Sequence, residues 1–287
     1  MGQKRQPEDK YEMIYRISDL TENSINPVTG QEYDSSWVIL ALTDSTEYKQ
    51  MCGCHNGCAY TIKTSRFNDE HWEMSVGDFI GFCSANNKNA ILVMSGTDLE
   101  LAKKHYGGHQ YNEAFLRGYE PSVLIHSTTL PAWKHIVHDG MLKSWNLLKK
   151  EKGIPNDKPI GALLGDPADF SDFIMFGSGI TGEIIVNSKQ QGRIIMDENS
   201  EYLTGARLYF DAGKMAQDGL LLRDGCHLKV KDMLPLDPYL IWAATWDSVG
   251  LKNQVSTPRI FAEQADSKFK AIAKNAYLSC SAKRTFL

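Results

Sequence analysis

Apolar positions along the chain fall into short runs bounded by Gly, Asn, Asp or Ser, a spacing that suits strands better than long helices. Early in the chain these runs are Trp37 to Leu42, Tyr60 to Lys63, Phe79 to Cys83 and Ala90 to Met94. They predict a small β-containing unit. Residues 1–35 are polar, with turns at Asn26-Pro27 and Thr29-Gly30. Asp44 to Met51 reads as a short helix capped by Thr43 or Asp44, and Asp98 to Tyr106 as another that stops at Gly107-Gly108. A domain boundary is expected near residue 100.

Beyond it the texture changes. Ser122 to His126 reads as a strand, and Leu130, Trp133, Ile136 and Val137 recur as the stripe of an amphipathic helix ended by Gly140. Trp133 is expected to pack in a core. Phe173–Phe176, Glu183–Val186, Arg193–Met196 and Arg207–Phe210 predict strands, Ala212–Gln217 a helix, and Leu220–Leu222 and His227–Val230 further strands. Many short strands with few helices predict an α+β domain built on packed sheets. The expected organisation is a small β-rich N-terminal domain over 1–100, an α+β domain over 101–250 and a C-terminal extension over 251–287.

Composition narrows the class. A length of 287 residues suits about two domains. An apolar share of 42% is enough for a core and excludes a disordered chain. No apolar run is long enough to span a membrane, and the polar start lacks the apolar stretch of a secretory signal. No membrane partner and an intracellular location, cytoplasmic or nuclear, are expected. With 31 basic against 35 acidic side chains the net charge is −4, which gives no global case for nucleic acid. Cys52, Cys54, His55 and Cys58 are soft ligands close together, with Cys83 as a distant fourth thiol, but their spacing is not that of a paired zinc knuckle. No metal is assigned to them.

One segment carries a resemblance. Residues 124–142, Leu-Ile-His-Ser-Thr-Thr-Leu-Pro-Ala-Trp-Lys-His-Ile-Val-His-Asp-Gly-Met-Leu, resemble the strand, His-Gly-Thr turn, helix and Gly-Leu ending of the ADP-ribosyltransferase fold, and in particular of the RNA 2′-phosphotransferase family. Leu208 to Gly219 is similar to that family's strand ending in Ile-Asp-Ala, its short helix and its Asp-Gly. Leu228-Lys229-Val230, Leu234-Pro235 and Pro238-Tyr239-Leu240 are similar to its last strand and Pro-x-x-Tyr-Leu close, and Gly108-His109 stands near the place of its Gly-His-Ser. The resemblance covers residues 104–241; residues 1–100 do not share it.

The resemblance implies an ADP-ribosyltransferase-like C-terminal domain that uses NAD as co-substrate. An RNA 2′-phosphate would displace nicotinamide, and ADP-ribose cyclic phosphate would then leave. His126, Ser127 and Thr128 would hold NAD, with Ser127 putting a side chain where the family has Gly and the nucleotide nears the backbone. Lys104, His109 and one of Arg193 or Arg207 would handle the phosphate, for which an Arg fork is suited. Lys104 replaces an Arg, and Phe173–Phe176 stands in place of a His-x-His strand. Those departures keep two alternatives open: a diverged ADP-ribosyltransferase acting on another acceptor, protein or nucleic acid, and a catalytically silent nucleotide- or RNA-binding module. Glu201 and Glu183 are candidates for a ribose-polarising Glu, Glu183 with Gly179 to Gly182 as a mobile loop before it, and Lys149, Lys150 and Lys152 for an RNA contact; a surface role is expected for each.

Overall fold

Trp37-Val38-Ile39-Leu40-Ala41-Leu42 is apolar at every position, the pattern of a strand covered on both faces, and all six residues are buried. The computed structural model describes residues 13–20, 24–46, 50–52, 59–105, 121–152, 166–177, 179–203, 205–251 and 255–283. In chain order its elements are β1 (Ile14–Ile17), β2 (Trp37–Thr43), β3 (Gln50–Cys52), β4 (Tyr60–Ser65), α1 (Trp72–Ala85), β5 (Asn89–Val93), α2 (Gly96–His105), β6 (Val123–Thr128), α3 (Leu130–Asp139), β7 (Met141–Lys143) and α4 (Trp145–Lys152). A 3-10 turn (Ala168–Asp172) then leads to β8 (Phe173–Phe176), α5 (Thr181–Gln191), β9 (Ala206–Asp211), α6 (Ala212–Gln217), β10 (Leu222–Arg223), β11 (Leu228–Lys231), β12 (Met233–Pro235), β13 (Leu240–Thr245), α7 (Trp246–Val249) and α8 (Pro258–Lys283). Helices and several separate sheets make this an α+β chain, as expected, though with more helix than the sequence pattern suggests. No helix among the described residues is long and apolar enough to cross a membrane.

Contacts divide the described residues into two units that are not consecutive in sequence. One takes 1–120, 144–174 and 216–232; the other takes 121–143, 175–215 and 233–287. The units therefore do not part near residue 100. Local patterning cannot show such a return, because it reports what each segment is and not what it packs on.

The first unit is built on a five-stranded sheet of order β1-β5-β2-β4-β3. Strands β1, β5, β2 and β4 run parallel, and β3 pairs antiparallel with β4. Parallel strands need a crossover connection, and α1 lies in the one that leads from β4 to β5, on the other side of β2. Phe79 to Cys83 is thus part of a helix, not a strand: the helix is buried nearly all round, with Ser75, Gly77 and Gly81 among its buried residues, so its apolar run carries no 3.6-residue signature. Gln50 and Met51, expected at the end of a helix, are strand; residues 47–49 lie outside the described set.

Residues 216–232 dock onto α1 of this unit. Gly225 sits at φ +86°, and a Cβ there would lie 2.7 Å from the Ser75 carbonyl oxygen, so both the turn and the close approach require glycine. Lys229 is fully buried: its Nζ donates to Asp224 at 2.6 Å and lies 3.9, 4.5 and 4.7 Å from the ring centroids of Phe82, Phe170 and Phe173. Burial would raise the Asp224 carboxyl, but His227 and Lys229 outweigh it and hold Asp224 well below the usual carboxylate range.

In the second unit β6, β9 and β13 form an antiparallel sheet of order β13-β9-β6, and β7 pairs with β12. Thr129 caps α3 through Ala132 N, and Gly140 ends it at φ +69°. No residue of α3 is fully buried, so Trp133 packs only in part. Glu183 to Val186, expected as a strand, lies in α5: three successive apolar residues, two of them isoleucines, read as β, but the helix runs on to a left-handed Gly192. Arg193 to Met196 is irregular, since both the N–H and the C=O of Ile195 bond to the Ser188 hydroxyl and not to a neighbouring strand. The C-terminal residues are no appendage. Phe261 and Ala265 of α8 share a core with Tyr209, Ala244, Val249 and Leu251, and Phe269 stacks on Tyr209 at 4.3 Å.

Asp78 on α1 gives the first unit a pH dependence. Its Oδ2 is buried without a hydrogen bond among the described residues, with Arg223 Nε 3.8 Å away. Burial pushes the carboxyl up to about 7, and Arg223 offsets only part of this. The native protein keeps a proton that the unfolded chain releases near 3.8, so stability falls as pH rises from about 4 to about 7. Asp78→Asn should flatten that slope in urea melts run from pH 5 to pH 8.

Candidate functional site

The pleat of β6 sends successive side chains to opposite faces of its sheet. Ser127 stands across from Arg207 and His126 across from Leu208. His126 therefore lies on one face, and Ser127 with Arg207 on the other.

On the first face, His126 Nδ1 lies 3.0 Å from the Met175 carbonyl oxygen, and its ring packs edge-on against Phe176. A carbonyl only accepts, so Nδ1 carries the hydrogen. Burial lowers the pKa of the half-buried ring, against the opposing effect of the Met175 bond, and favours the neutral form. In that tautomer Nε2 is an acceptor.

On the second face the centre is Arg207, whose side chain has no exposure. NH1 donates to Glu183 Oε2 at 2.7 Å and to the Gly179 carbonyl at 2.9 Å. Nε donates to Asp266 Oδ1 and the Tyr209 hydroxyl at 3.0 and 3.1 Å, and NH2 to Asp266 Oδ2 at 3.1 Å. Glu183, also fully buried, takes its other bond from the Ser127 hydroxyl at 2.6 Å. Burial raises the Glu183 carboxyl, with Arg207 and Ser127 opposing; burial works against the Arg207 charge too, but Glu183, Tyr209 and Asp266 outweigh it. Both Glu183 and Arg207 are thus committed to protein partners.

Two glycines make this arrangement possible. A Cβ on Gly182 would lie 2.5 Å from Ser127 Oγ, and one on Gly205 would lie 2.0 Å from the Thr128 carbonyl oxygen. The side chain that Ser127 adds where a glycine is expected therefore turns toward α5, into room left by Gly182. Glu183 is held in the first turn of α5, and Thr181 and Gly182, expected in a loop, belong to that helix.

The expected site residues do not converge on one cluster. Ser127 and Arg207 meet through Glu183; His126 lies on the opposite face, and half-buried Thr128 adjoins Gly205. Arg193 is exposed just beyond α5, and Lys104 is exposed on the last turn of α2 in the first unit. His109 lies outside the described residues, as do Cys54, His55 and Cys58. Among the described residues no group of three or more His, Cys, Asp or Glu could hold a metal. Tyr209 and Asp266 were not foreseen. No local signal marks them: Arg207 and Tyr209 alternate with Leu208 and Phe210 and read as the solvent side of a strand, whereas β9 is buried on both faces. Comparison of the chain with family models, curated proteins and solved structures returned no match.

Removing one buried partner should separate the roles in this network. Arg207→Met leaves Glu183 buried without its cation and should destabilise the protein by about 3–5 kcal/mol in denaturant melts. Adding Glu183→Gln, which retains an acceptor for Ser127, should recover much of that loss.

Proposed function

We propose that the second unit is an NAD-using transferase similar in design to the RNA 2′-phosphotransferases. The observation that carries this reading is His126. It stands where that family's motif has its NAD-contacting His, its Nδ1–H is taken by Met175, and Nε2 is left in the acceptor form that a ribose hydroxyl requires. NAD, when bound, supplies a ribose carbon whose bond to nicotinamide is already labile. The protein's part is then to hold the ribose through His126 and the backbone at Ser127 and Thr128, and to bring up an acceptor. Arg193, exposed just beyond α5 of the same unit, is the candidate for handling an acceptor phosphate.

A second reading, a diverged ADP-ribosyltransferase acting on another acceptor, draws support from Arg207. Its bonds to Glu183, Asp266, Tyr209 and Gly179 leave it little capacity to clamp a dianionic phosphate.

The test is incubation of the full chain with NAD and a short RNA carrying an internal 2′-phosphate, beside a plain RNA. Loss of the phosphate with appearance of ADP-ribose cyclic phosphate is expected. Losing one hydrogen bond costs about 1–1.5 kcal/mol, so His126→Ala should weaken NAD binding roughly tenfold. Nicotinamide release without any change in the RNA would favour the other-acceptor reading. If NAD is neither bound nor consumed, both transfer readings fall and a silent binding module remains.

A further inference from the structure

Residues 193–197, Arg-Ile-Ile-Met-Asp, follow α5 as an open edge. Ile195 turns inward: its N–H donates to the Ser188 hydroxyl at 2.9 Å, and its carbonyl accepts from the same hydroxyl at 3.1 Å. A residue whose N–H and C=O face one way has strand geometry, and its two neighbours then face the other way. Accordingly, the N–H and C=O of Ile194 and of Met196 have no protein partner among the described residues. Their side chains are exposed as well, Met196 at 72%. The segment is held to α5 by polar bonds, with Asn187 donating to Ser200 and Gln190 to the Leu203 carbonyl, so its apolar side chains are left outside. Leu203 and Val255 flank the bridge between buried Tyr202 and Ser256 and extend this apolar surface. An unpaired edge of this kind is a template for another strand.

The charges select which strand. Arg193 stands two residues before Ile195 and Asp197 two after it; both are exposed, and neither has an ion-pair partner among the described residues. Turned antiparallel about Ile195, the same segment of a second copy sets Arg193 against Asp197 at both ends and Ile194 against Met196 between them. Ile194 and Met196 are then the residues that exchange both N–H···O bonds, the pairing for which their backbone faces outward. A parallel copy would set Arg193 against Arg193. We propose that residues 193–197 are a dimerisation edge, at which two copies of this chain pair antiparallel across a two-fold axis. The pairing requires neither NAD nor turnover and stands apart from the transferase reading. A paired chain has its Arg193 engaged, so an acceptor phosphate and a second copy would compete for that side chain.

The test is sedimentation velocity of the full chain from about 1 μM to about 1 mM, the range of dissociation constants in which a small interface is read. Wild-type protein should pass from monomer to dimer. Arg193→Glu alone brings two carboxylates together at each end of the pairing, and Asp197→Arg alone two guanidinium groups. Each should weaken the dimer about tenfold or more. Mixed in equal amounts, the two variants are complementary again and should form a heterodimer of near wild-type strength. Met196→Asp should leave a monomer that melts like wild type at low concentration, because that side chain lies outside the core. Should a charge variant not fold, Met196→Asp decides alone. A wild-type chain that is monomeric throughout overturns the proposal. So does a dimer that Met196→Asp leaves intact, and so do charge variants that pair no better together than apart.

Discussion

A guanidinium taken wholly out of water has to be answered by acceptors on every side, and Arg207 imposes that demand on the second unit. It explains why α5 begins where Glu183 and the Gly179 carbonyl can both reach NH1. It accounts for a serine at position 127, which satisfies the remaining oxygen of Glu183, and for a glycine at 182, which makes space for that serine. It also fixes the rotation of α8, since Asp266 must face inward. Buried ion pairs add little net stability over well-packed apolar residues, but removing one partner is severe. Such a pair therefore specifies the arrangement more than it strengthens it. The first unit repeats the device with Lys229, where one carboxylate and three aromatic rings surround the ammonium.

Much of the fold is legible where a segment's surroundings resemble its own pattern. β2, β4, β5, β6 and β9 lie where short runs of β-forming residues stand between turn residues, and α6 matches its expected span. α3 announces itself through its stripe, Pro131 and Gly140. The errors have different causes. Phe79 to Cys83 lies in a helix buried nearly all round, which loses its periodic signature, whereas α5 exposes Ile185 and buries Glu183, Asn187 and Ser188, so its polar and apolar positions do not report its faces. The division of the chain was hidden for a different reason: residues 216–232 look like part of the segment that follows residue 206, and only their contacts assign them to the other unit.

The site was less legible than the fold. Three consecutive residues, His126 to Thr128, look like one binding loop when written in a line. In the structure they belong to a strand, so the pleat separates the imidazole from the hydroxyl beside it. The resemblance makes Arg207 a candidate for phosphate, but its partners Glu183 and Asp266 lie 24 and 59 positions along the chain from it. A charged residue that alternates with apolar ones shows neither that its strand is covered on both faces nor where its counter-charge lies.

The interleaving of the two units governs the order in which the protein can be made. During synthesis the whole sheet of the first unit emerges before Gly225, Asp224 and Lys229, the residues that close over α1. Until the ribosome has passed them, α1 presents Phe82 and the Ser75 backbone without that cover. The strands that carry His126 and Arg207 also emerge in this interval. The first unit therefore cannot finish folding until the first two segments of the second have been translated, and a chain cut near residue 120 would yield an incomplete sheet domain with an open flank, prone to aggregation and recognition by chaperones.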